Sequence, residues 1–140
     1  MSKIVAYTDG ACRGGNPGFC SAAWAIYFDG KVDSHGARYL GPERHTNNYA
    51  EYMALICLLE VLYSLGIEDV TIYCDSKLVV NQVNQKWKLN SEDLRPLMSK
   101  AFGFVSKGNH TLIHIRGHQG IEGNEFVDKL CNEELDRQGH

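Results

Sequence analysis

The order in which strand-like and helix-like periods follow one another constrains this chain more than any other feature. Lys3 to Thr8 is a short β-rich run, closed by Asp9-Gly10 and the glycine-rich stretch Arg13 to Gly18. Phe19 to Phe28 and Val32 to Leu40 read as two further strands joined by a turn at Asp29-Gly30, so the chain opens with an antiparallel meander. The period then lengthens. Ala50, Ala54, Cys57, Leu58, Val61, Leu62 and Leu65 fall on one helical face, with Thr46, Asn47 or Asn48 as cap and Gly66 as stop. Val70 to Cys74 is a short, mostly apolar run, as expected of a strand buried between layers. A helix from Ser76 to about Val83 follows, and after Asn90-Ser91 another from about Glu92 to Ser106. Thr111 to Arg116 is a strand, Gly117 to Gly123 a glycine-rich loop, and Asn124 to Asp136 the last helix. This succession makes an α/β chain with a mixed five-stranded sheet and helices packed on it.

The first strand and the strand before Asp75 are joined through a helix, so a right-handed crossover lets them lie parallel and adjacent. Asp9 and Asp75 then stand at carboxyl ends of strands, where open α/β sheets hold their ligands, and are expected to share a site. Two further acids belong with them by their frames: Glu51 in TNNYAEYMAL and Asp128 in RGHQGIEGNEFVDKL, beside Asp9 in YTDGAC and Asp75 in IYCDSKLVV. Each has an ordinary reading alone. Asp9-Gly10 fits a turn, Asp75-Ser76 a helix cap, Glu51 the acidic partner of a cap at Asn48, and Asp128 a solvated acid in mid-helix. Gathered, they describe a divalent-metal site. Clustered carboxylates repel and need cations to stay ionised, and hard oxygen donors suit Mg²⁺ or Mn²⁺ rather than zinc.

In order and wording these frames resemble ribonuclease H of type 1, over about Lys3 to Leu135. The resemblance implies a ribonuclease H-like fold, with residues 1–140 as a single ribonuclease H domain. It implies an endonuclease that hydrolyses the RNA strand of RNA–DNA hybrids and leaves 5′-phosphate and 3′-hydroxyl ends. Asp9, Glu51, Asp75 and Asp128 would bind two Mg²⁺ ions, or Mn²⁺ as substitute, around the scissile phosphate, and no protein nucleophile is required. The sequence accordingly offers no Ser/His/Asp or Cys/His arrangement that can be placed. His118, between Gly117 and Gly120, matches the family's mobile histidine, which assists proton transfer or product release; a lone loop histidine is also an ordinary surface residue. Glu122 shares that loop and is a weaker candidate for a transient approach to a metal.

The resemblance also implies a binding surface. Asn16, Asn47 and Asn48 match positions that contact the RNA strand, where amides suit 2′-hydroxyls and base edges in a wide, shallow minor groove. GNPG and TNN are equally good turn and cap sequences. Arg44, Thr46 and Asn90 match residues that grip a phosphate of the DNA strand in some members. Between Val83 and Asn90 the chain departs from many relatives: in place of a Trp- and Lys-rich protrusion it has only NQKWKLN. Trp87 there fits either a stack on a DNA sugar or packing under the shortened loop.

Composition narrows the classes. A chain of 140 residues without a Pro-rich or Gly/Ser-rich linker reads as one compact unit. Net charge is −3, which argues against strong non-specific nucleic-acid binding, although bound metals would carry part of a nuclease's positive charge. Tyr52 to Leu65 is too short and, with Glu60 and Ser64, too polar for a membrane span. MSKIVAYT enters a strand at once, so no signal peptide is expected, and the reading is a cytoplasmic, monomeric enzyme. The five cysteines are odd in number and lack CxxC spacing, so all are expected to be reduced, structural residues rather than zinc ligands or bridges. Two rivals remain at this stage. A silent binding module would have lost one or more of the acids, and another nuclease of the wider fold would act on double-stranded RNA or DNA junctions. An actin-like nucleotide-binding domain needs two lobes and a phosphate loop that this chain lacks.

Overall fold

The meander pairs as its alternation requires. β1 (Ile4–Arg13), β2 (Phe19–Phe28) and β3 (Lys31–Tyr39) run antiparallel, with β1 matched to β2 from Ile4↔Phe28 to Arg13↔Phe19. The computed structural model describes residues 3–89 and 91–140, so Asn90 of the expected phosphate pocket lies outside the described residues. β1 does not stop at Thr8 but continues through Asp9 and Gly10 to Arg13. β2 offers a partner at every step, and the ladder satisfies main-chain groups that a turn would leave open.

α1 (Asn47–Ser64) is capped by Thr46, whose hydroxyl accepts the Tyr49 N–H at 3.1 Å. It buries Ala50, Tyr52, Ala54, Leu55, Ile56, Leu58, Leu59 and Leu62, so it is apolar nearly all round and not on one stripe. The cause is its position, with β1 and β2 beneath it and the later helices alongside. Leu65, expected on the buried face, lies beyond the helix end and is 61% exposed. The chain then crosses to β4 (Thr71–Cys74), parallel to β1 from Val5↔Thr71 to Thr8↔Cys74.

α2 (Lys77–Val83) is capped by Ser76. α3 (Arg95–Lys107) starts at Arg95 instead of Glu92, with Pro96 in its first turn, where a missing N–H costs nothing. β5 (Thr111–His114) joins β4 in parallel and ends two residues before Arg116, because its neighbour β4 ends at Cys74. α4 (Glu122–Arg137) begins ahead of the expected Asn124. The sheet order is β3-β2-β1-β4-β5. One face is closed by α1, α2 and α3 around Ile26, Leu55, Leu59, Ile72, Val79 and Leu112, and the other by α4 around Ala23, Ala25, Tyr27, Val127 and Cys131. Among the described residues no helix is long and apolar enough to cross a membrane.

The expectation of five reduced cysteines fails. Cys12 and Cys20 are direct partners in the β1–β2 register, with Cα atoms 4.0 Å apart, and form a disulfide. Cys57, Cys74 and Cys131 are free. Their odd number hid the pair, because opposition across a hairpin depends on register, which no Cys spacing motif encodes.

Candidate active site

Thr8↔Cys74 is the last pair of the parallel β1–β4 ladder, so Asp9 and Asp75 emerge side by side just beyond it. Glu51 reaches them from above. α1 passes so close to Gly10 that a Cβ there would stand 2.5 Å from the Ala50 carbonyl carbon and 2.6 Å from Glu51 N. The Gly10 N–H donates to Glu51 Oε1 at 2.7 Å, which turns this carboxylate into the sheet and away from any capping role. One carboxylate oxygen from each of Asp9, Glu51 and Asp75 then lies within 4.8 Å of the others. Asp128, half-buried on α4, adjoins Asp9 without entering that triangle.

Asp9 is 5% exposed. Burial first, then the charges of Asp75 and Asp128 and a hydrogen bond shared with Asp128, push its pKa up to about 9, against the opposing pull of the Gly10 N–H. Glu51 is driven well above the ordinary carboxylate range by burial, then by Asp9 and Asp75, again opposed by Gly10. A cluster in this state either keeps protons or takes up cations. Its donors are all carboxylate oxygens, with no thiolate or imidazole among them, which fits a hard divalent ion.

Several supporting groups are absent from the sequence reading. Asn124, 4% exposed, donates to Asp75 Oδ2 at 3.4 Å. Its position four residues before Asp128 placed it on the same helical face, and that spacing was the available signal. The Cys131 thiol donates to the Asp9 carbonyl at 3.1 Å, and burial, then Asp9, holds its pKa up. A Cβ on Gly117 would lie 3.0 Å from Asp75 Oδ2, so the loop before α4 closes against this acid.

The remaining candidates are distributed around the cluster. His118 is exposed, at φ 59°, and among the described residues no hydrogen bond or ion pair joins it to the carboxylates. Glu122 opens α4 near Tyr7 and Tyr27, whose hydroxyl pKa values are raised first by burial and further by neighbouring charges, that of Glu122 among them. Asn16 and Asn47 are joined: Asn16 Oδ1 accepts the Asn47 N–H at 2.9 Å, with Asn48 exposed beside them. Arg44 donates to the Gly14 carbonyl at 3.2 Å and lies over the Phe19 ring at 4.7 Å. Thr46 spends its hydroxyl on the α1 cap, and the cleft these two residues line also contains Asp93. Trp87 is 45% exposed beneath the Lys77 ammonium at 5.9 Å, so it is not packed under its loop. With Lys86 and Lys88 it lines a shallow cleft of about 360 Å³.

The RNase H family model matches residues 1–136 of this chain. The protein belongs to the RNase H family, a family of nucleases. This RNase H is 37% identical over 135 residues to the protein named Ribonuclease HI of Halobacterium salinarum, an alignment that covers 96% of this chain and 65% of that relative. The chain therefore spans a little under two thirds of that relative's length. Its fold matches the crystal structure of RNase H1 from Halobacterium salinarum with a TM-score of 0.85 at 36% identity, covering 96% of this chain and 98% of the other. It also matches LC11-RNase H1, isolated from compost and solved in complex with an RNA/DNA hybrid. There the TM-score is 0.85 at 32% identity, over 99% of this chain and 100% of that one.

Proposed function

We propose that this RNase H is an endoribonuclease that hydrolyses the RNA strand of RNA–DNA hybrids, with residues 1–140 acting as one domain. The observation that carries the reading is the carboxylate triangle of Asp9, Glu51 and Asp75, with Asp128 at its side, at the open end of the β1–β4 pair. Its likeness to a chain solved with such a hybrid supports the substrate. The four acids would hold two divalent ions, Mg²⁺ or Mn²⁺, which when bound supply an activated water at neutral pH and stabilise the departing oxygen. The products are a 5′-phosphate and a 3′-hydroxyl.

The chain's own groups prepare that site. The Gly10 N–H fixes Glu51, Asn124 fixes Asp75, and burial shields Asp9 from competing water. His118, on its exposed loop, carries a proton to the departing oxygen or helps release the product. Asn16, Asn47 and Asn48 form a polar edge that reads 2′-hydroxyls on the cut strand. Arg44, Thr46 and Asn90 meet a phosphate of the DNA strand, and Trp87 offers its open face to a DNA sugar. The enzyme works as a monomer in the cytoplasm.

The test is cleavage of RNA–DNA, RNA–RNA and DNA–DNA duplexes, and of a duplex with one embedded ribonucleotide, with Mg²⁺, Mn²⁺ or EDTA. Only the RNA strand of the continuous hybrid is cut efficiently, and EDTA stops the reaction. Asp75→Asn lowers the rate roughly 10³-fold or more while its circular dichroism matches the parent. A folded Asp75→Asn protein with near wild-type rate removes the site assignment, and efficient cutting at the single ribonucleotide removes the role of the asparagines.

A further inference from the structure

Apart from Pro17, the loop that presents Asn16 has little stiffness of its own. It spans residues 14–18 between β1 and β2, and Gly14 and Gly15 stand at φ 82° and 125°, a region open to glycine. Its shape is imposed from outside. Gly18 exchanges two main-chain hydrogen bonds with His45, each 2.9 Å, and Asn16 Oδ1 takes the Asn47 N–H. His45 lies just before α1 and Asn47 is its first residue, on the helix that also carries Asn48 and Glu51.

Under that junction sits the Cys12–Cys20 disulfide. Cys20 is fully buried with Ala22, Leu40, Ala50 and Ala54, and Cys12, Tyr49 and Met53 pack on the same cluster. The His45 carbonyl oxygen lies 3.2 Å from Cys20 Sγ and 3.8 Å from Cys12 Sγ. One sulfur pair therefore touches β1 three residues beyond Asp9, both ends of the Asn16 loop, the His45 segment and the first turn of α1.

We propose that the Cys12–Cys20 disulfide is a positioning element for hybrid binding, holding Asn16 and Asn47 as one preformed edge when oxidised and releasing that edge when reduced. The proposal rests on reading those asparagines as RNA contacts. Reduction needs a dithiol: two electrons and two protons pass to the sulfurs, giving two thiols, and the dithiol closes to its own disulfide. Cys12 is half-buried, so a small dithiol reaches the bond from its side. The thiols must then fit as non-bonded neighbours in a space already filled by Ala50 and the His45 carbonyl. The segment between them yields, and the cost of ordering the loop moves to the binding step. The carboxylates stay, because Asp9 is held in the ladder by Ala23 and Glu51 by the Gly10 N–H.

The experiment uses the full chain, air-oxidised or treated with dithiothreitol, with intact mass after alkylation counting the thiols. Alkylated in denaturant, because Cys74 and Cys131 are buried in the fold, oxidised protein is modified at the three free cysteines and reduced protein at all five. Steady-state cleavage then shows KM raised roughly tenfold on reduction, the size expected from ordering one or two recognition side chains, with kcat nearly unchanged. The double variant Cys12→Ala/Cys20→Ala behaves as the reduced protein and ignores dithiothreitol. In Asn16→Ala the redox effect shrinks, because the loop no longer has its contact to present; this coupling is one that a merely stabilising bridge does not produce. Equal KM in both mass-verified states, an equal fall in kcat, an undiminished redox effect in Asn16→Ala, or five alkylated cysteines before reduction each overturns the proposal. A chain that cuts no hybrid in either state sinks the hydrolytic reading instead. Hybrid affinity in Ca²⁺ then judges the disulfide by itself, with the same ratio expected.

Discussion

At Asp9, burial and two neighbouring acids act in the same direction and lift the carboxyl from 3.8 to about 9. An acid whose pKa is higher in the folded chain binds more protons there than in the unfolded one. The stability it contributes is full below about 3.8 and is lost as pH rises toward 9. In EDTA the protein should therefore weaken between pH 5 and pH 9. Asp9→Asn, which cannot ionise, should flatten that slope and be the more stable protein at pH 8, by on the order of 1–3 kcal/mol after allowance for relaxation. Mg²⁺ should restore the parent at the alkaline end, because cations take the place of protons. Urea unfolding across this range, with and without Mg²⁺, measures all of it; a metal-free parent that gains stability with pH would mean that the acids are not buried together. At this scale the sequence displayed the acids through their frames. It did not display Asn124 or the Gly10 N–H, since an amide or a main-chain donor carries no mark of its partner until the chain is folded.

Among the elements, the contact that sets the site is the crossing of α1 over β1 at Gly10. No side chain fits there, as the backbone of Ala50 and Glu51 occupies the place of a Cβ. Gly10→Ala should lift α1 from the strand, at a cost of about 1–3 kcal/mol or more in urea unfolding. It should also slow cleavage, because Glu51 moves away from Asp9 and Asp75. Unchanged stability and rate would mean that the helix adjusts without consequence. The order and types of the elements followed from hydrophobic period, and what escaped was tertiary in origin. β1 runs past Asp9 because β2 is there to pair with it, and β5 ends early because β4 does. α1 is wrapped on several sides, so its apolar surface overflows the one face that its spacing defines. The disulfide escaped for a related reason: Cys12 and Cys20 are eight residues apart, and only the hairpin register sets them opposite each other.

For the molecule as a whole, the topology brings the Asn16 loop and the starts of α1, α2 and α4 to the end of the sheet that holds the acids. The charge available there for phosphates is modest. Net charge is −3, Arg13 is bound to Asp136 at 2.6 Å and to Asn132, and Arg95 is paired with Glu92. Arg44 is partly engaged by Gly14 and Phe19, which leaves exposed Arg116, next to Gly117 beside Asp75, and Lys86, Lys88 and Lys77 around the open face of Trp87. Each phosphate neutralised adds roughly −0.9 to the slope of log affinity against log salt on B-DNA, somewhat less on other forms, so two or three contacts give a slope of about −2 to −3. The expected enzyme therefore has a high KM and a turnover set by its metal site, with affinity limited by the missing protrusion. Hybrid binding by non-cleaving Asp75→Asn protein in Ca²⁺, across a salt series, measures the slope directly. Lys86→Ala/Lys88→Ala should make it shallower by about 1 to 2, roughly one for each lost phosphate contact, without changing the cleavage pattern. A parent slope near −8 would require a basic face that the ion pairs of Arg13 and Arg95 do not leave, and would place the hybrid elsewhere on the molecule.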